Sequence, residues 1–138
     1  MRGRKPEEIK RSKPKFIISG ESGVGKSFYM LDFPKPFIID TEGGTVEPQY
    51  VKKMKEVDAV YFGKEDGSQD FKTVIDELKW LATNKHDRQT LIIDSFSKLY
   101  NITAAIAEET VGNVYAADKK AAQKLTRQLQ VWMDGIDK

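Results

Sequence analysis

The stretch "GESGVGKS" at residues 20–27 follows the apolar run "KFIIS" at 15–19. Gly20, Glu21, Ser22, Gly23, Val24, Gly25, Lys26 and Ser27 together fit the pattern G-x-x-x-x-G-K-[ST]. Each residue type has a physical task in such a loop. Glycines carry no Cβ, so successive backbone N–H groups can curl around phosphate oxygens. A helix beginning behind the loop adds partial positive charge. Lys26 is expected to reach the β- and γ-phosphates, and the Ser27 hydroxyl to ligate Mg²⁺. A strand before the loop and a helix after it distinguish this reading from that of an idle glycine-rich turn.

The rest of the chain supplies that setting. "KFIIS" (15–19), "PFIID" (36–40), "DAVYF" (58–62) and "QTLIID" (89–94) are short runs of apolar, β-branched or aromatic residues. Near-continuous hydrophobicity of this kind suits strands buried on both faces of a parallel sheet. Between the last two, Phe71, Val74, Ile75, Leu78 and Leu81 recur at helical spacing, with Ser68 as a candidate cap. Two more helices are expected over 97–110 and 114–134, the latter with Ala122, Leu125, Leu129 and Trp132 on one face. Alternating strands and helices predict a three-layer α/β/α fold with a mostly parallel sheet.

Composition narrows the function classes. A chain of 138 residues, 39% hydrophobic and 32% charged, has room for one domain with one core. No apolar run approaches the ~20 residues of a membrane helix, so no membrane partner is expected. There is no cysteine, which removes disulfides and thiolate metal sites and fits a cytoplasmic protein. The single histidine, His86, leaves no basis for a histidine metal site or triad, and is expected in an exposed loop. Net charge is +2, split into +5 over residues 1–15 and −3 over the remainder. The division expected is a basic, flexible arm at 1–14 and a nucleotide-binding domain at 15–138.

Carboxylates then choose among phosphate-loop activities. Asp40-Thr41-Glu42-Gly43 fits the D-x-x-G of GTPases, and Asn84-Lys85-His86-Asp87 fits their N-K-x-D. Spacing argues against both. Only 12 residues separate Ser27 from Asp40, too few for a helix, a switch loop and two strands. The N-K-x-D also follows a helix and precedes a strand, whereas a base-reading motif should follow a strand. Asp94 ends the buried run "LIID", where a carboxylate is costly without a cation or hydrogen-bond donors. Mg²⁺ beside Ser27 would supply the cation, and Asp94 can also cap the helix that follows. Glu42 lies just past "FIID", at the sheet edge where ligands of such folds bind. A carboxylate there can orient a water and take its proton as it attacks a γ-phosphate. Asp40 is expected to hold the turn beside it.

"GESGVGKS", "FIIDTEGGTVEPQYV" and "LIIDSFSKLY", in that order, resemble the core of RecA-type recombinases. The short phosphate-loop helix followed by "FPKPFIIDTEGG" is more specifically similar to phage-encoded RecA-like, AAA-type ATPases, some of which are single-strand annealing recombinases. The resemblance covers about residues 15–100. It implies ATP and Mg²⁺ at Gly20, Gly25, Lys26 and Ser27, Glu42 as the water-activating base, and Asp94 as the acidic-strand carboxylate. It also implies single-stranded DNA as a partner and a homo-oligomer. In that family a strand after the acidic one carries a polar γ-phosphate sensor, and no apolar run after Asp94 matches it. The expectation is therefore an N-terminal portion of a RecA-like core, the alternative being a compact variant in which the acidic and phosphate-loop strands pair directly. Lys120, Lys124 and Arg127 share a helical face that reads first as solvated. Tyr100 and Tyr115 read first as packing residues rather than base-stacking ones. Two further readings stand beside the ATPase: a nucleotide-binding switch with a protein partner, and a small-molecule kinase, disfavoured because no arginine-rich lid follows the loop.

Overall fold

"PFIID" contains no polar side chain before Asp40, and every one of its residues is buried. That demands cover on both faces and both edges, and the chain provides it. In the computed structural model, which describes residues 3, 5, 6, 13–111, 123, 124, 127, 128, 130 and 131, this run is β1 (Pro36–Asp40), the middle strand of a parallel sheet. Its neighbours are β2 (Val60–Phe62) and β3 (Thr90–Asp94), giving the order β2-β1-β3. Register pairs Ile38 with Tyr61 on one side and with Ile92 on the other. It also sets Asp40 level with Asp94, so both carboxylates end their strands at the same sheet edge.

Side chains alternate across the sheet, as strand geometry requires. Phe37 and Ile39 pack with Phe71, Val74, Leu78 and Leu81 of α3 (Phe71–Thr83) and Leu99 of α4 (Phe96–Val111). On the opposite face Ile38 and Ile92 pack with Leu31, just past α1 (Lys26–Met30), and with Met54 of α2 (Pro48–Glu56). The result is an α/β fold of three layers. Among the described residues no helix is long and apolar enough to cross a membrane.

Three details depart from the sequence-based expectations. Residues 15–19 form no strand; Phe16 is 66% exposed and Ile17 99%. A strand exists only as part of a ladder, and the outer side of β3 has no strand beside it among the described residues. Phe16 instead meets the ring of Phe33, with centroids 5.8 Å apart. The cap of α3 is Asp70, whose carboxylate accepts from the Thr73 amide at 2.9 Å. Ser68 is wholly buried and donates to the Asp40 carbonyl at 2.5 Å, tying the start of α3 to the end of β1. Helix α2 is absent from the sequence-based expectations, although Tyr50, Val51 and Met54 stand at i, i+1 and i+4 and Pro48 opens it as proline favours.

Helix α4 coincides with the expected 97–110 within a residue. Of the helix expected over 114–134, residues 123, 124, 127, 128, 130 and 131 are helical. Tyr115, Lys120, Ala122, Leu125, Leu129 and Trp132 lie outside the described residues.

Candidate functional site

The C-terminal edge of the sheet collects the polar residues. Asp40 is 1% exposed and its carboxylate accepts five hydrogen bonds. Its donors are the amides of Glu42 (3.0 Å), Gly43 (2.6 Å) and Thr45 (3.1 Å), the Thr45 hydroxyl (2.5 Å) and the Tyr61 hydroxyl (3.1 Å). Burial pushes this carboxyl up, but the Thr45 hydroxyl and the three amides outweigh it and hold it below its ordinary value. Tyr61 moves the other way, raised by burial and by the charge of Asp40. Asp40 is thus committed to holding the turn, as expected from its place next to the glycines. Gly43 completes that turn with a left-handed φ of 82°.

The fixed turn presents Glu42 to solvent at the strand tip. Its Oε1 accepts from the Ser95 hydroxyl at 2.7 Å. Beneath it, the Thr41 amide donates to the Asp94 carbonyl at 2.8 Å, and the buried Thr41 hydroxyl meets both the amide (2.9 Å) and the carbonyl (3.0 Å) of Ser95. The Asp94–Ser95 peptide is cis. The cap of α4 is Ser95, not Asp94: its Oγ accepts from the Lys98 amide at 3.2 Å. Thr41, Thr45, Tyr61 and Ser95 carry no site role in the sequence reading, because isolated hydroxyls have no pattern of their own.

The glycine-rich loop 20–27 lies beside Asp94. Gly23 and Gly25 adopt φ of 82° and 90°, a region that disfavours side chains, and α1 begins at Lys26. The Lys26 ammonium donates to the carbonyls of Gly20 and Glu21, each at 2.7 Å, and so closes the loop on itself. Ser22 and Val24 lie between, with Val24 62% exposed. The Ser27 hydroxyl donates to Oδ2 of Asp94 in a short hydrogen bond. Residues 67 apart in sequence thereby meet, and Ser27, Asp94, Ser95 and Glu42 form one line along the sheet edge.

This donor set fits Mg²⁺. Among the described residues no three His, Asp or Glu side chains converge on a point that would hold a metal. A hydroxyl and one carboxylate are what remain, and Mg²⁺ is characteristically held by one or two protein oxygens with phosphate and water completing its shell.

The Asn84–Asp87 segment is at the other edge of the sheet, before β3 begins. Hydrogen bonds from Arg88 and Lys35 hold the Asp87 carboxyl well below the usual carboxylate range. His86 is half-buried rather than exposed: its ring stacks on Trp80, Nδ1 accepts from the Arg88 amide, and Nε2 is 2.8 Å from the Leu81 carbonyl. These residues close α3 against the sheet and face away from the phosphate loop.

Tyr100 is 41% exposed and lines a surface cavity of about 310 Å³ with Gln123, Arg127 and Gln130. Lys124 and Arg127 are exposed, in keeping with a solvated face.

No curated protein and no solved structure matches the chain. The profile of one family, described as AAA domain, matches residues 12–138, nearly the whole length. That span holds the phosphate loop, the parallel sheet and the acidic strand, and the chain belongs to the AAA domain family, a P-loop, ATPase-like type of domain.

Proposed function

We propose that the chain is an ATP-binding, Mg²⁺-dependent ATP-hydrolysing core of RecA-like type, acting in phage-type DNA recombination or annealing. The hydrogen bond between Ser27 and Asp94 carries this reading, because it joins the phosphate loop to the acidic strand that Glu42 also meets through Ser95. Residues 20–27 bind the nucleotide phosphates. Lys26, whose ammonium spans the carbonyls of Gly20 and Glu21, is placed to exchange them for phosphate oxygens. Ser27 and Asp94 would hold Mg²⁺, which would supply charge neutralisation on the phosphates. Glu42 has one carboxylate oxygen on Ser95 and uses the other to take a proton from water. As the water oxygen bonds to the γ-phosphorus, the bond to the β–γ bridging oxygen breaks, leaving ADP and phosphate.

Single-stranded DNA is the proposed polymer partner, with a homo-oligomer as the working form. The juxtaposition of exposed Tyr100 with Arg127 supports it, since a stacking ring beside a cation suits single strands. The basic arm at 1–14 is a second contact for phosphates, ahead of a nucleotide-binding domain at 15–138. The absence of cysteine fits work in a reducing cytoplasm. One observation favours a second reading, a nucleotide-binding switch with little turnover and a protein partner: residues 15–19 are not in the sheet, so among the described residues no strand braces the phosphate loop from behind.

Calorimetry with Mg·ATP, with GTP as competitor, tests the site. Lys26→Ala is expected to weaken binding at least about tenfold, and Glu42→Gln to preserve binding while lowering turnover by about 100-fold or more. Equal turnover in Glu42→Gln and the parent would leave the switch as the surviving reading. DNA-stimulated turnover that is lost in Tyr100→Ala and Arg127→Ala would support the polymer partner.

A further inference from the structure

We propose that Ser95 is the positioning residue for Glu42, and that the adjacent pair Asp94 and Ser95 sets the carboxylate of Glu42 in register with the phosphate loop. The inference rests on the reading of Glu42 as the water-activating base and adds the group that orients it. A serine hydroxyl has one proton, and at Ser95 that proton goes to Glu42 at 2.7 Å. The cap to Lys98, at 3.2 Å, uses only a lone pair. Capping α4 therefore leaves the donor unexplained, and Glu42 explains it.

The surroundings make Ser95 a rigid donor. Its amide and carbonyl are both held by the hydroxyl of Thr41, which is wholly buried. The Thr41 amide, bonded to the Asp94 carbonyl, extends the β1–β3 pairing one residue beyond Asp40 and Asp94. Glu42 itself is exposed on a flexible stem, and without a partner its carboxylate would sample several rotamers. A neutral donor on one oxygen selects an orientation and leaves the second oxygen open to water. Neighbouring residues then divide the work: Asp94 accepts from Ser27 of the phosphate loop, and Ser95 donates to Glu42.

The test combines spectroscopy of the nucleotide-free protein with steady-state kinetics. At fixed neutral pH the side-chain carboxyl ¹³C resonance of Glu42 is expected to move in Ser95→Ala and to return toward its original position in Ser95→Thr. Turnover of Ser95→Ala is expected to fall about tenfold, the scale of one hydrogen bond to a charged group, with the Kd for Mg·ATP within about twofold of the parent. Ser95→Thr restores turnover, whereas Ser95→Cys, similar in size but a weak donor, behaves as Ser95→Ala does. In a Glu42→Gln background the Ser95→Ala change adds no further loss. An unmoved carboxyl resonance in Ser95→Ala, or an undiminished loss in the Glu42→Gln background, overturns the proposal. Failure of the base assignment is separable: there, Glu42→Gln keeps full turnover while the resonance still moves with Ser95.

Discussion

Asp40 and Glu42 are two residues apart and carry the same functional group, yet the fold gives them opposite surroundings. Asp40 is enclosed, and its charge persists because five donors surround it. A carboxylate so occupied has no free oxygen to receive a proton from water. Glu42 is exposed and has one hydroxyl partner. Replacing Asp40 with Asn turns one acceptor oxygen into a donor that faces the donors of Thr45 or Gly43. The expected loss is about 2–4 kcal/mol by urea denaturation at pH 7. The pH dependence has a definite sign. Asp40 titrates below its ordinary value of 3.8 in the folded protein, so its stabilisation is complete above that value and fades as pH falls through the lower folded value. The gap between parent and Asp40→Asn should therefore narrow in acid. A gap that is constant or widens below pH 3.8 would contradict the assignment.

Among the elements, β1 and α3 are those in which local pattern and tertiary environment agree. "PFIID" is apolar throughout because it is the middle strand and is covered on both sides. The spacing of Phe71, Val74, Leu78 and Leu81 is the buried stripe of α3. What periodicity does not define is where such an element starts. Ser68 and Asp70 are both competent caps by type, and the choice between them follows from Ser68 being drawn inward to the Asp40 carbonyl. Asp70→Ala removes an exposed cap and is expected to lower the urea midpoint of unfolding slightly. Its carboxyl is held below its ordinary value by the Thr73 hydroxyl and amide, so that contribution too is present at neutral pH and lost in acid. Helix α2 is short and lysine-rich, and its stripe of Tyr50, Val51 and Met54 is what packs on Ile38 and Ile92.

Across the whole molecule, the sheet is covered on both faces but its β3 edge has no strand beside it among the described residues. Native-state amide exchange should reflect this. Ile38 and Ile39, in the middle strand, are expected to be among the slowest amides, and Ile17, almost wholly exposed, to exchange near the unfolded-chain rate. Slow exchange at Ile17 would show that residues 15–19 pair after all. Much of this architecture was legible beforehand. Short apolar runs separated by helical periods specify a parallel α/β sheet, because strands buried on both faces must be apolar throughout. The loop pattern from Gly20 to Ser27 and the acid that ends "LIID" likewise follow from chemistry carried by neighbouring residues. Ladder pairing is not local: "KFIIS" has the composition of a strand, and whether it becomes one depends on an edge elsewhere in the fold. The same holds for Ser27 with Asp94 and for Ser95 with Glu42, contacts made across 67 and 53 positions. Residue type shows which groups can bind phosphate or move a proton; chain folding alone determines which of them come within a hydrogen bond of each other.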